Sequence, residues 1–195
     1  MDNSLQQILK EATNRLEANK IENSSTDAWL LFEHVFGINR VDYFKDPNRV
    51  VSLEKRKEYF NLIDKRINRI PLAYITGTQE FMGLSYQVNE HVLIPRQETE
   101  LLVEKAIDLI KNKDKKSVLD MCTGSGCIIS SIRNHTRLEK AVGVDISPEA
   151  LAVSKYNARQ HQVDDILFLQ SNLFEKVTGL FDVIISNPPY IPTKD

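Results

Sequence analysis

Two stretches carry residue types whose spacing could do chemistry. The first is Ser186-Asn187-Pro188-Pro189-Tyr190-Ile191-Pro192, which follows the apolar run Phe181 to Ile185 directly. Prolines fix the backbone and remove N–H donors, so the carbonyls beside them are left as acceptors. Asn187 adds a side-chain acceptor and a donor, and Tyr190 a flat face. Two acceptors, the Asn187 side-chain oxygen and the Pro188 carbonyl, can hold the two hydrogens of a planar NH2 group and turn its nitrogen toward an electrophile. Such a nitrogen is a poor nucleophile because its lone pair is delocalised. Rate must then come from positioning and electrostatics, with no covalent enzyme intermediate. The plain alternative is a proline-rich strand exit.

The second stretch is Leu119-Asp120-Met121-Cys122-Thr123-Gly124-Ser125-Gly126-Cys127, where a strand passes into a helix. Gly124 and Gly126 allow a tight turn that a ligand can approach, and amides at a helix start favour an anionic group. A purely structural turn explains G-x-G about as well. Asp145 closes the next strand, roughly 20 residues on, where a carboxylate can take ribose hydroxyls or simply cap a helix. Ile129 stands where a dinucleotide fingerprint needs a small residue, and no lysine follows as a phosphate-binding loop requires, which disfavours NAD and ATP. S-adenosylmethionine remains, its ribose suited to Asp145 and its carboxylate to the turn. Cys122 and Cys127 read as reduced packing residues, and no metal site is expected.

The elements that must position these residues alternate as strand and helix: strands at 117–120, 141–145, 166–169 and 181–185, helices at 99–110, 127–133 and after Ser147-Pro148. That alternation predicts a parallel, doubly wound sheet, with ligands beyond the carboxyl ends of its strands at the point where strand order reverses. With order 3-2-1-4, that crevice lies between the strands ending at Asp120 and at Ser186, beside Asn187 to Tyr190. The first seventy residues read as three amphipathic helices. One carries Leu5, Ile8, Leu9, Ala12 and Leu16. A second is capped at Ser24 and Ser25 and stops at Gly37, and a third runs from Ser52 to Pro71. Between the two parts, runs at 80–82 and 85–88 around Gly83-Leu84 predict a β-hairpin. The expected organisation is a helical domain at 1–73, a hairpin linker at 74–95 and an α/β domain at 96–195.

Composition is that of a globular chain: 195 residues, 42% hydrophobic and 27% charged, net charge −2, pI near 6.1 and mean hydropathy −0.32. That balance gives no general pull toward nucleic acid or anionic membrane. The run Lys111 to Lys116 is the best basic patch and reads as a solvated loop. No apolar stretch spans a bilayer and the start has no leader pattern, so a cytoplasmic location is expected.

The stretches 71–84 (PLAYITGTQEFMGL), 92–104 (VLIPRQETELLVE), 119–127, 142–151 (VGVDISPEAL) and 186–192 resemble the HemK/PrmC family, glutamine methyltransferases that act on peptide chain release factors. Asn-Pro-Pro-Tyr alone is shared with amino-methyltransferases of DNA and RNA, whereas PLAYITG with IPRQETE is specific. The resemblance implies a Rossmann-like class I fold, S-adenosylmethionine as cofactor and the glutamine of a Gly-Gly-Gln motif as substrate. It further implies that Cys122, Thr123, Gly124, Ser125 and Gly126 line the methionine part and that Asp145 takes the ribose. Asn172 and Leu173 lie near the adenine, and Asn187, Pro188, Pro189 and Tyr190 hold the glutamine, Asn187 also bordering the cofactor. The helical domain helps engage the release factor, and Ile94 to Glu100 form a lid.

Three positions depart from the family pattern. Cys122 replaces a glycine, tolerable where the backbone is not left-handed; Asn172 replaces a common Asp; Gln97 replaces a proline. Members of the family continue further, so a fragment of a longer protein is expected, with its crevice retained and the edge of the last strand uncovered. Two other readings stay open: a nucleic-acid amino-methyltransferase, and a non-catalytic module that binds cofactor or release factor.

Overall fold

A computed structural model describes residues 3–112 and 117–189. Most of the lysine run and Tyr190 therefore lie outside the described residues. The chain divides into two compact units, Met1–Thr76 and Gly77–Asp195.

The first unit is helical. Helices α1 (Leu5–Ala18), α2 (Ser24–Phe36) and α4 (Leu53–Ile67) are the expected three, joined by two short helices the periodicity did not reveal, α3 (Arg40–Lys45) and α5 (Leu72–Thr76). Six- and five-residue helices span too few turns to show an apolar stripe. Ser4 and Ser52 cap α1 and α4 through Gln7 N–H and Lys55 N–H. The cap of α2 is Asn23, with no side-chain bond, so Ser24 lies one residue inside the helix and bonds back to the Ile21 carbonyl. Helix α4 stops at Asn68, before Pro71, which instead precedes α5. Leu5, Ile8, Leu16, Phe32 and Ile63 form the core. Arg66 pairs with the nearly buried Asp27 at 2.6 Å, and the Tyr59 hydroxyl donates to the Ala28 carbonyl at 2.8 Å.

The second unit opens with the hairpin β1 (Thr78–Phe81) and β2 (Leu84–Gln87). Its two-residue turn is Met82-Gly83, one position earlier than expected, with φ of +52° and +72°. Both central residues left-handed is the geometry that matches strand twist in a hairpin. Rather than serving only as a linker, the hairpin buries Phe81 and Tyr86 in the core of the second unit, where Tyr86 shares a 2.7 Å hydrogen bond with Ser131.

After a 3-10 turn at Gln97–Thr99 come α6 (Glu100–Asn112), β3 (Ser117–Met121), α7 (Cys127–His135), β4 (Lys140–Asp145), α8 (Pro148–Gln160), β5 (Leu167–Gln170) and β6 (Val183–Ser186). The strands are parallel in the order β5-β4-β3-β6, the expected 3-2-1-4. Both faces of the central strands are covered: Val118 and Ala141 pack in one cluster with Ile128, Ile129 and Ile132, while Leu119, Met121, Val142 and Val144 form another. This explains their near-continuous apolar sequence. The Asp182 carboxylate accepts from the Ser117 N–H and hydroxyl and fixes β6 beside β3. Among the described residues no helix is long and apolar enough to cross a membrane.

Candidate active site

A pocket of about 260 Å³ opens beyond the carboxyl ends of β3, β4 and β6. Its walls come from the segments that follow those strands: Cys122 and Gly124 after β3, Asp145 and Ile146 at the end of β4, Asn172 and Leu173 after β5, Asn187 and Pro189 after β6. Met121, Val144 and Ala150 give it an apolar floor, and His91, Val92 and Leu93 close one side. This is the crevice that a sheet with reversed strand order leaves between its halves.

Backbone geometry sets the turn after β3. Gly124 and Gly126 have φ of +55° and +77°. A Cβ on Gly126 would lie 2.7 Å from the Ser154 Cβ, so only glycine lets α8 approach so closely. Cys122 also has a left-handed backbone, φ +62°, contrary to the condition under which a cysteine there is strain-free. Leu173, φ +48°, is a second left-handed side chain in the pocket wall. Non-glycine residues in this region carry strain of order 1–3 kcal/mol and concentrate where ligands are gripped.

Asp145 organises the centre. One carboxylate oxygen accepts from Gly124 N–H at 2.9 Å, the other from Ser147 N–H at 3.0 Å. An ionised carboxylate offers about four acceptor directions, so two remain for hydroxyl donors in the pocket. Asp145 is not the helix cap, because the Ser147 hydroxyl accepts from Ala150 N–H and fills that role.

Each primary amide in the wall has one end already held. Asn172 Nδ2 donates to Glu175 at 2.8 Å, and because a carboxylate only accepts, the Asn172 carbonyl is the end left for a ligand. Asn187 Nδ2 donates to the Thr99 hydroxyl at 3.3 Å, and in this orientation the Asn187 carbonyl remains as acceptor; unlike a carboxylate, a hydroxyl can also donate, so this partner does not itself dictate the orientation. Ile146, Leu173 and Leu93 expose much of their side chains and all border the pocket. Clustered exposed apolar surface of this kind suits the flat face of a ligand.

Of the residues expected at the site, Thr123, Ser125, Gly126 and Pro188 do not line the pocket. Thr123 and Ser125 are buried behind it: Thr123 donates to the fully buried Asp120 at 2.6 Å, and the Ser125 carbonyl accepts from Asn157. Tyr190, expected as a catalytic and substrate-binding residue, lies outside the described residues. Burial pushes the Asp120 carboxyl up to about 7; the Thr123 bond opposes this and the charge of Asp145 adds to it. Burial likewise raises both thiols, Cys127 to about 12, which keeps them unreactive. Sequence reasoning missed the wall at His91 to Leu93 and the particular contact of Thr99, which it placed only within the lid at Ile94 to Glu100, as well as the burial of Asp120 and Asn157. The first two reach the site across the fold, and no local pattern marks the others.

Residues 7–77 match the PrmC N-terminal domain and residues 97–195 the methyltransferase small domain. A release factor glutamine methyltransferase of Deinococcus radiodurans is 32% identical over 191 residues, covering 98% of this chain and 68% of its own. One from Clostridium botulinum is 37% identical over 191 residues, with 96% and 68% covered. One from Clostridium acetobutylicum is 39% identical over 171 residues, with 85% and 59% covered. The chain thus spans 68% of the length of the first two relatives and 59% of the third. Among solved structures, a Pyrococcus abyssi tRNA (uracil-54, C5)-methyltransferase in complex with S-adenosyl-L-homocysteine aligns with TM-score 0.48 at 20% identity, over 57% of this chain and 28% of that one.

Proposed function

This chain belongs to the release factor glutamine methyltransferase family, and we propose that it moves a methyl group from S-adenosylmethionine to the side-chain amide of the glutamine in a release factor's Gly-Gly-Gln motif. The observation that carries the reading is the meeting of Asn187, Asp145 and Gly124 around one pocket at the reversal of strand order. Bound there, S-adenosylmethionine supplies a methyl group on a sulfonium, the electrophile a weakly nucleophilic amide needs.

The chain's own residues do the holding. Asp145 keeps acceptor capacity for two ribose hydroxyls while its bonds to Gly124 and Ser147 stop it from turning. Ile146 and Leu173 offer an apolar shelf for adenine, and the Asn172 carbonyl accepts from its amino group. Asn187, steadied by Thr99, accepts one hydrogen of the glutamine NH2, and the other goes to the carbonyl of Pro188, which is not itself in the pocket lining but joins Asn187 and Pro189, which are. The nitrogen is then aimed at the methyl carbon. The sulfonium would supply the methyl group and leave as a neutral thioether, and the amide would remain neutral by giving its surplus N–H proton to water; Asn187 and the Pro188 carbonyl orient the amide and take no proton themselves. Catalysis by this route is positioning and preorganised electrostatics. The helical unit engages the body of the release factor, in a cytoplasmic setting.

The test is incorporation of label from methyl-labelled S-adenosylmethionine into a release factor, into the same factor with its motif glutamine changed to alanine, and into DNA and RNA. Label confined to the intact motif is expected. Label in nucleic acid alone would replace this reading with amino-methylation of bases, and cofactor binding without transfer would reduce the chain to a binding module. Asn187→Ala is expected to lower transfer by at least about a hundredfold, within the range of a lost oriented transition-state contact, and to change cofactor affinity less than about threefold in calorimetry. Loss of both together would contradict the division of roles between Asn187 and Asp145.

A further inference from the structure

Asn157 lies on α8, outside the pocket, and is 1% exposed. Its Oδ1 accepts from Gln87 N–H at 2.7 Å, while its Nδ2 donates to the Gln87 carbonyl at 3.0 Å and to the Ser125 carbonyl at 2.9 Å. These partners decide the orientation of the amide. Reversed, it would set an NH2 group against an N–H and an oxygen against two carbonyls. Gln87 is the last residue of β2, and the chain after it leads to the wall at His91 to Leu93. Ser125 is the middle of the turn that presents Cys122 and Gly124. One buried side chain therefore joins two walls of the pocket from behind. Ser154, on the same helix, packs directly on Gly126.

We propose that Asn157 is a positioning residue: through the Ser125 carbonyl it sets the turn after β3, and through Gln87 it fixes the neighbouring wall to that turn. Where it concerns cofactor, this rests on the reading of the pocket as an S-adenosylmethionine site; the clamp on the turn does not. Buried amides with every partner satisfied specify one arrangement of the groups around them, because a half-satisfied alternative leaves carbonyls unpaired. The turn needs such a device, since its left-handed residues have no regular ladder to hold them.

The experiment compares the wild-type chain with Asn157→Asp, Asn157→Ala and Ser131→Ala. Asn157→Asp keeps the size and the acceptor for Gln87 N–H but loses both donors, and it guards against Asn157→Ala failing to fold. Ser131→Ala removes a different buried hydrogen bond of the same unit, to Tyr86, without touching the turn. Native-state hydrogen exchange, without cofactor, reads the Thr123, Gly124 and Gly126 amides, all hydrogen-bonded in the structure. Calorimetry reads S-adenosylmethionine affinity. In the Asn157 variants the turn amides are expected to exchange at least about tenfold faster relative to the sheet, and affinity to fall about tenfold, the scale of one lost hydrogen bond. Ser131→Ala should lower the melting temperature and leave both readouts unchanged. Wild-type exchange of the turn in Asn157→Asp would overturn the proposal, as would equal loosening in Ser131→Ala. A wild-type chain that fails to bind cofactor, while the Asn157 variants still loosen the turn, would count against the cofactor reading and support the clamp.

Discussion

Cys122 stands where the backbone demands a left-handed residue, and its Cβ strains against the following carbonyl. Such strain costs about 1–2 kcal/mol, and a glycine gives back up to about 1 kcal/mol through its freer unfolded chain. Cys122→Gly is accordingly expected to stabilise the second unit by up to about 1 kcal/mol in urea denaturation. A less stable variant would show that the side chain's contacts outweigh the strain. Asp120 leads to a pH effect. Its folded pKa of about 7 exceeds the ordinary Asp value near 4, so between those values the native state holds a proton the unfolded chain has released. Its contribution is full below about pH 4 and is lost as pH rises through 7. Between pH 5 and pH 8 the change is worth roughly 2–3 kcal/mol, and Asp120→Asn should remove that difference between denaturation curves at the two pH values. Neither effect was legible in the sequence: Cys122 is an ordinary residue until its φ is known, and Asp120 becomes unusual only when α7 and β4 bury it. The pairing of Asp145 with the turn was legible, because both sit at strand ends that topology brings together.

At the scale of elements, apolar periodicity anticipated the long helices and the four parallel strands, since each buries a face or both faces of a regular repeat. It could not anticipate α3 and α5, and it placed the hairpin turn one residue late because Met82 gives no sign of adopting a positive φ. The close approach of α8 to the turn makes a sharper prediction. Gly126→Ala combines a left-handed backbone with a 2.7 Å clash against Ser154 and should cost on the order of 3 kcal/mol. Gly83→Ala, equally left-handed but with open space around it, should cost about 1 kcal/mol. Equal losses in thermal denaturation would mean that backbone strain alone, and not helix packing, requires glycine at Gly126.

For the whole molecule, β6 is one of the two outer strands of the described sheet, the other being β5, and Ile184 on it is 53% exposed while Leu180 before it is more so. Unpaired apolar edges seek strands from other chains. The 195-residue chain is expected to self-associate with rising concentration, and Ile184→Lys to shift it toward monomer in light scattering; no shift would mean that the edge is not the contact. The same strand has a consequence for synthesis. It pairs with β3 across 65 residues, whereas β4 and β5 each find neighbours nearer in the chain. As the polypeptide leaves the ribosome, helical unit, hairpin, turn and Asp145 are all in place before Asn187 has emerged. The wall that would grip the substrate is thus delivered after the turn and Asp145 that would hold the cofactor, so a growing chain acquires its hold on the methyl donor before its hold on the methyl acceptor.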